Sequence, residues 1–162
     1  MKRKFAVLAV SIVAFAAINA HAAEGTATAT VITPIAITAV NDLNFGKFAG
    51  YTGGNVVMTA GGSRSFTGTV IAGVNAGNAA SFSVTGDAGS TYAISLPTNA
   101  TLTGPGTDMV VGTFVSSPTV VAGGTLNGSG AQTLSVGATL IVPASQVAGN
   151  YSGTFDVTVA YN

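Results

Sequence analysis

Residues 149–162 read Gly149-Asn150-Tyr151-Ser152-Gly153-Thr154-Phe155-Asp156-Val157-Thr158-Val159-Ala160-Tyr161-Asn162. Tyr151, Phe155, Val157, Val159 and Tyr161 share one parity, with Gly153 in the same register. Asn150, Ser152, Thr154, Asp156, Thr158 and Asn162 share the other. Successive side chains of a strand point to opposite faces, so this stretch is a strand with one buried and one solvated face. Pattern alone allows a plain terminal strand of a sandwich.

The same period of two recurs upstream. Thr26 to Thr33 alternates Thr with Ala27, Ala29 and Val31, and predicts a strand that Pro34 interrupts. Ile35, Ile37 and Ala39 resume the alternation before an Asn41-Asp42 turn. Leu43–Phe48 reads as a short strand, Gly53-Gly54 as a turn, Val56–Ala60 as strand, Gly61-Gly62 as turn and Ser65–Ile71 as strand. Residues 72–79 are small and polar, a loop. Ser81–Thr85 and Tyr92–Leu96 flank Gly86-Asp87-Ala88-Gly89 and predict a hairpin. Val110–Val115 and Gln132–Val142 complete the set, with Gly137 as a candidate bulge. No window of ten or more residues shows a helical apolar period. Short strands at this spacing predict an all-β, immunoglobulin-like antiparallel β-sandwich.

The beginning of the sequence reads as an export signal. Met1-Lys2-Arg3-Lys4 is cationic, and Phe5–Ile18 is apolar or small apart from Ser11. Ala20-His21-Ala22 is a small-x-small cleavage pattern, placing a signal peptide at 1–22. An apolar run of 14 residues falls short of the roughly 20 needed to span a bilayer, so no transmembrane segment is expected after cleavage. The mature chain then divides into an N-terminal extension, 23–33, and a sandwich domain, 34–162.

From Ala23 onward the cations are Lys47 and Arg64, against Glu24, Asp42, Asp87, Asp108 and Asp156, a net charge of −3. Two cations cannot neutralise a run of phosphates, which argues against nucleic-acid binding. With no Cys and no His after the signal, there is no thiol nucleophile, no usual zinc site and no Ser-His-Asp triad. The acids stand singly and no D-x-D spacing occurs, so neither metal, cofactor nor paired-carboxylate chemistry is expected. Asp87 and Asp108 sit beside turns, where Asp bonds its own backbone. Asn99, Asn127 and Asn150 begin acceptor-like Asn-x-Ser/Thr triplets that arise readily in so Thr/Ser-rich a chain. Tyr51, Tyr92 and Phe114 are candidate sugar-stacking aromatics, with core or rim roles as the simpler reading. No enzyme is expected.

Gly149, the alternating apolar positions and the penultimate aromatic Tyr161 resemble the C-terminal signature of chaperone–usher pilins. Ala148-Gly149-Asn150-Tyr151-Ser152-Gly153 is similar to the end of colonisation-factor major pilins, which also lack cysteines and carry a Thr/Ala/Val-rich N-terminal strand like 26–34. Over nearly the whole chain after the signal, Leu43-Asn44-Phe45-Gly46, Phe82–Gly86, Tyr92–Pro97 and Gly149–Phe155 resemble a family of small exported bacterial β proteins classed as a domain of unknown function.

The pilin resemblance implies an incomplete sandwich whose gap is filled by the N-terminal extension of the next subunit, a known mode of strand addition. It implies that residues 23–33 donate, through Ala27, Ala29 and Val31. It implies that Gly149, Tyr151, Phe155, Val157, Val159 and Tyr161 border the acceptor groove and form the strand held by a periplasmic chaperone. The expected partners are copies of the chain itself, that chaperone and an outer-membrane usher. The expected route is the periplasm, then the cell surface as a fimbrium, with adhesion as one role. The alternative is a monomeric secreted or surface β-sandwich, with carbohydrate binding as one role.

Overall fold

The computed structural model describes residues 21–162; residues 1–20, and with them most of the expected signal segment, lie outside the described residues. Residues 21–31 have no regular secondary structure and are exposed. The expected strand over 26–33 is therefore not formed, and irregular backbone continues to Ile35. Its small Ala and Thr side chains offer little apolar area to hold it in place, and Pro34 removes a ladder donor.

Ile32–Asn162 folds as one unit, all-β among the described residues. Ten strands run in order: β1 Ala36–Asn41, β2 Phe48–Met58, β3 Arg64–Ala72, β4 Ala80–Thr85, β5 Thr91–Ser95, β6 Asn99–Leu102, β7 Met109–Ser117, β8 Gly124–Thr125, β9 Ala131–Val142 and β10 Thr158–Tyr161. They form two antiparallel sheets packed as a sandwich. The larger has seven strands and the smaller runs β10-β5-β8.

β9 is the axis of the larger sheet. Its first half pairs with β4, from Thr85↔Ala131 to Ala80↔Val136. Its second half pairs with β2, from Met58↔Ala138 to Gly54↔Val142. Its other edge carries β7, from Ser117↔Ser135 to Val110↔Ile141. β4 and β2 therefore lie end to end along one edge, and Gly137 sits at their joint. A Cβ on Gly137 would collide with the Met58 carbonyl oxygen, which is why only hydrogen fits there. The bulge expected at Gly137 instead falls opposite it in β7, between Gly112 and Val115, where Thr113 adopts φ 48.

Three further expectations are corrected. Gly53-Gly54 lies inside β2, at a register shift against β3, because Gly54 approaches the Thr67 carbonyl too closely for any side chain. Leu43–Phe48 is not a strand: Asn44 makes one bridge to Asn78, and the carbonyls of Phe45 and Lys47 turn to Arg64 Nη1 at 2.8 and 3.1 Å. Ser81–Thr85 and Tyr92–Leu96 do not form a hairpin. Both edges of β4 are taken by β1 and β9, so the chain crosses through Gly86–Ser90 to the other sheet. Gly86 N–H donates to Gly130 O at 2.8 Å, and Asp87 Oδ2 accepts from Ser90 Oγ at 3.1 Å, fixing the crossing.

Inward residues of β9 (Leu134, Val136, Ala138, Leu140, Val142) alternate strictly and are buried. Two apolar clusters meet along this row. One gathers Tyr92, Ile94, Leu126, Val84 and Leu134 between the two sheets. The other gathers Val56, Met58, Val70, Met109, Val111 and Leu140 on the β3-β2-β9-β7 half. Leu43 and Phe114 touch both.

Candidate functional site

The two sheets differ in extent. The three-stranded sheet supplies Tyr92 and Ile94 to the first cluster and nothing to the second. Over the second cluster the cover is the irregular run 42–47 with the start of β2 on one side and residues 146–155 on the other. Between them opens a cleft of about 1050 Å³. Its floor is Phe82, Leu102, Met109, Val111 and Leu140; the last three are buried and Phe82 and Leu102 half-buried.

The C-terminal segment forms one wall and carries the alternation read from the sequence. Tyr151, Phe155, Val157, Val159 and Tyr161 are half-buried; Ser152, Thr154, Asp156, Thr158 and Ala160 are exposed. Yet the expected strand Tyr151–Asn162 is only partly formed. Thr158–Tyr161 pairs with β5, Ser152 bridges Thr103, and residues 153–157 belong to no ladder. Its apolar face is turned inward while the backbone between these two attachments joins no ladder.

Each wall residue is held individually. Tyr151 accepts the Gly106 N–H at 2.8 Å and donates to the Val147 carbonyl at 2.8 Å. Gly153 lies so close to β6 that a Cβ would collide with the Thr101 carbonyl oxygen. Phe155 packs edge-on to Phe82, centroids 6.3 Å apart, and tilted on Phe114 at 5.2 Å. Val157, Val159 and Tyr161 pack against the first cluster. Gly149 is exposed and lines the cleft. Gln146, also on the lining, donates through Nε2 to Thr107 O, while its buried Oε1 has no hydrogen-bond partner.

At the other terminus Ala27, Ala29 and Val31 are exposed, Val31 at 96%. Ile35 and Ile37 pack against the first cluster of their own domain. Of the aromatics considered for sugar stacking, Tyr92 is fully buried and donates to Gln132 Oε1 at 2.8 Å. Phe114 is a core residue beside Phe155, and Tyr51 is 64% exposed. Burial pushes the Tyr92 phenol above its ordinary value. Among the described residues no three His, Cys, Asp or Glu side chains converge.

The sequence did not single out the cleft floor. Alternation marks Met109, Val111 and Leu140 as inward, but a gap above them depends on which strands cover which half of the sheet.

The chain belongs to the family described as a domain of unknown function (DUF4402), which matches residues 35–161. That span runs from just before β1 to the end of β10 and leaves 23–33 outside the match. No curated protein and no solved structure matches the chain.

Proposed function

We propose that this member of the family is a structural subunit of a fimbria-like extracellular fibre, in which the cleft accepts the N-terminal extension, residues 23–33, of the next copy. The observation that carries the reading is the unladdered stretch 153–157 beside an open apolar cleft. An edge with free N–H and C=O groups next to an apolar cleft is a template for an added strand. Eleven extended residues span roughly 36 Å, about the length of a small sandwich. The unpartnered Gln146 Oε1 supports the same reading, since a buried acceptor normally finds a donor and an incoming backbone N–H would supply one.

On this reading Ala27, Ala29 and Val31 enter the cleft, and Tyr151–Tyr161 is the strand that a periplasmic chaperone protects before assembly at an outer-membrane usher. The role is structural, not catalytic. Sparse charge suits it, because neutral Thr/Ser/Asn surfaces repel their own copies little. The test is electron microscopy of cells carrying the wild-type gene, a deletion of the gene, and a deletion of residues 23–32. Fibres only with the wild type are expected. Fibres that persist without residues 23–32 would overturn the donor assignment. Their absence from wild-type cells, with a soluble monomer in the medium, would favour a monomeric secreted sandwich.

A further inference from the structure

Resting on the fibre reading, we infer that the register between two copies is set by an ion pair joining Lys47, on the rim of the cleft, to Glu24 in the extension of the second copy. The extension needs such a key. Thr26-Ala27-Thr28-Ala29-Thr30 repeats with period two, so a slip of two residues places Ala on Ala and Thr on Thr. Strand register is weakly specified when side chains do not distinguish one position from the next. Only the ends of the segment differ. Val31 and Ile32 are bulky, and Glu24 is the one charge between Ala23 and Thr33.

The acceptor has a matching partner. From Ala23 onward the chain has two cations. Arg64 is committed: its guanidinium bonds the carbonyls of Phe45, Lys47 and Gly73 and lies 4.8 Å over the Phe66 ring. Lys47 is exposed, lines the cleft, and makes no ion pair among the described residues. Its position is fixed from behind, because its carbonyl receives Arg64 and the Gly73 N–H at 2.8 Å. The other rim charge, Asp42, repels a carboxylate. Glu24 and Val31 are seven residues apart, about 23 Å in a strand, so a pair at Lys47 positions Val31 one strand-length along the cleft.

An exposed pair contributes modestly, and its loss or reversal is read as about a five-fold change at low salt. Screening removes that difference at high ionic strength. The experiment uses the chain from Ala23 to Asn162 and follows assembly by light scattering at 20 mM and 500 mM salt (about 20 and 4 Å screening lengths). K47E and E24K, each checked for wild-type circular dichroism, are expected to assemble about five-fold more slowly at 20 mM salt and like wild type at 500 mM. The double variant K47E/E24K is expected to regain the wild-type rate at both. Single variants that assemble normally, or a double variant as slow as the singles, would overturn the ion pair. Neither result touches the fibre reading, which fails separately if deleting residues 23–32 leaves assembly unchanged.

Discussion

The phenolic hydroxyl of Tyr161 donates a hydrogen bond to the carbonyl of Thr33, 2.7 Å away and 128 residues earlier in the chain. The same oxygen accepts the Asp87 N–H at 2.5 Å. One side chain thus ties the end of β10 to the β4–β5 crossing and to the residue from which the N-terminal extension departs. Replacing Tyr161 by Phe keeps the ring and removes both bonds. Y161F should destabilise the domain by about 1–2 kcal/mol. Hydrogen exchange should rise at Asp87, whose amide loses its acceptor. Unchanged protection there would mean that the phenol is not the joint.

Phe155 is the wedge where the C-terminal wall meets the core, between Phe82 and Phe114. It is half-buried, so F155A should cost about 2–3 kcal/mol, below the value for a fully buried ring. Urea denaturation measures it. A loss under about 0.5 kcal/mol, within the scatter of ordinary surface substitutions, would show that the wall is not anchored there.

G137A tests the joint in β9. The new methyl would be forced against the Met58 carbonyl, and β2 or β4 must shift to admit it. A loss of about 1–3 kcal/mol is expected by calorimetry. Wild-type stability would mean that β4 and β2 do not abut at this glycine.

Tyr92 predicts an alkaline limit. Its folded phenol titrates above the ordinary tyrosine value of about 10 because burial disfavours the phenolate. Below about pH 10 both folded and unfolded phenols keep the proton, and stability is independent of this group. Above that pH the unfolded phenol ionises first, so stability falls as pH rises towards the folded value. Chemical denaturation at about pH 9 and about pH 11, either side of that value, should show the drop. Y92F should lessen it while losing the bond to Gln132.

How much of this was legible beforehand depends on range. The alternation at Tyr151–Tyr161 and in β9 is local, and burial follows it except at the glycines, exposed Gly153 and buried Gly137. Partner choice is not local. Ser81–Thr85 and Tyr92–Leu96 look like two arms of a hairpin, yet β1 and β9 already occupy both edges of β4. Gly53-Gly54 looks like a turn because the close approach of Thr67, 13 residues on, leaves no mark in the local pattern. β6 and β8 are four and two residues long and show no period to read. The cleft was implied only through family resemblance, since a missing cover is a property of two sheets together.

The central claim is that the cleft beside residues 153–157 is filled by the extension of another copy. The most direct measurement is the mass distribution by light scattering of the chain from Ala23 to Asn162, beside the same chain lacking residues 23–32. A ladder of oligomers from the first and a single monomeric species from the second is the predicted result. A monomer from both, or the same ladder from both, would contradict it.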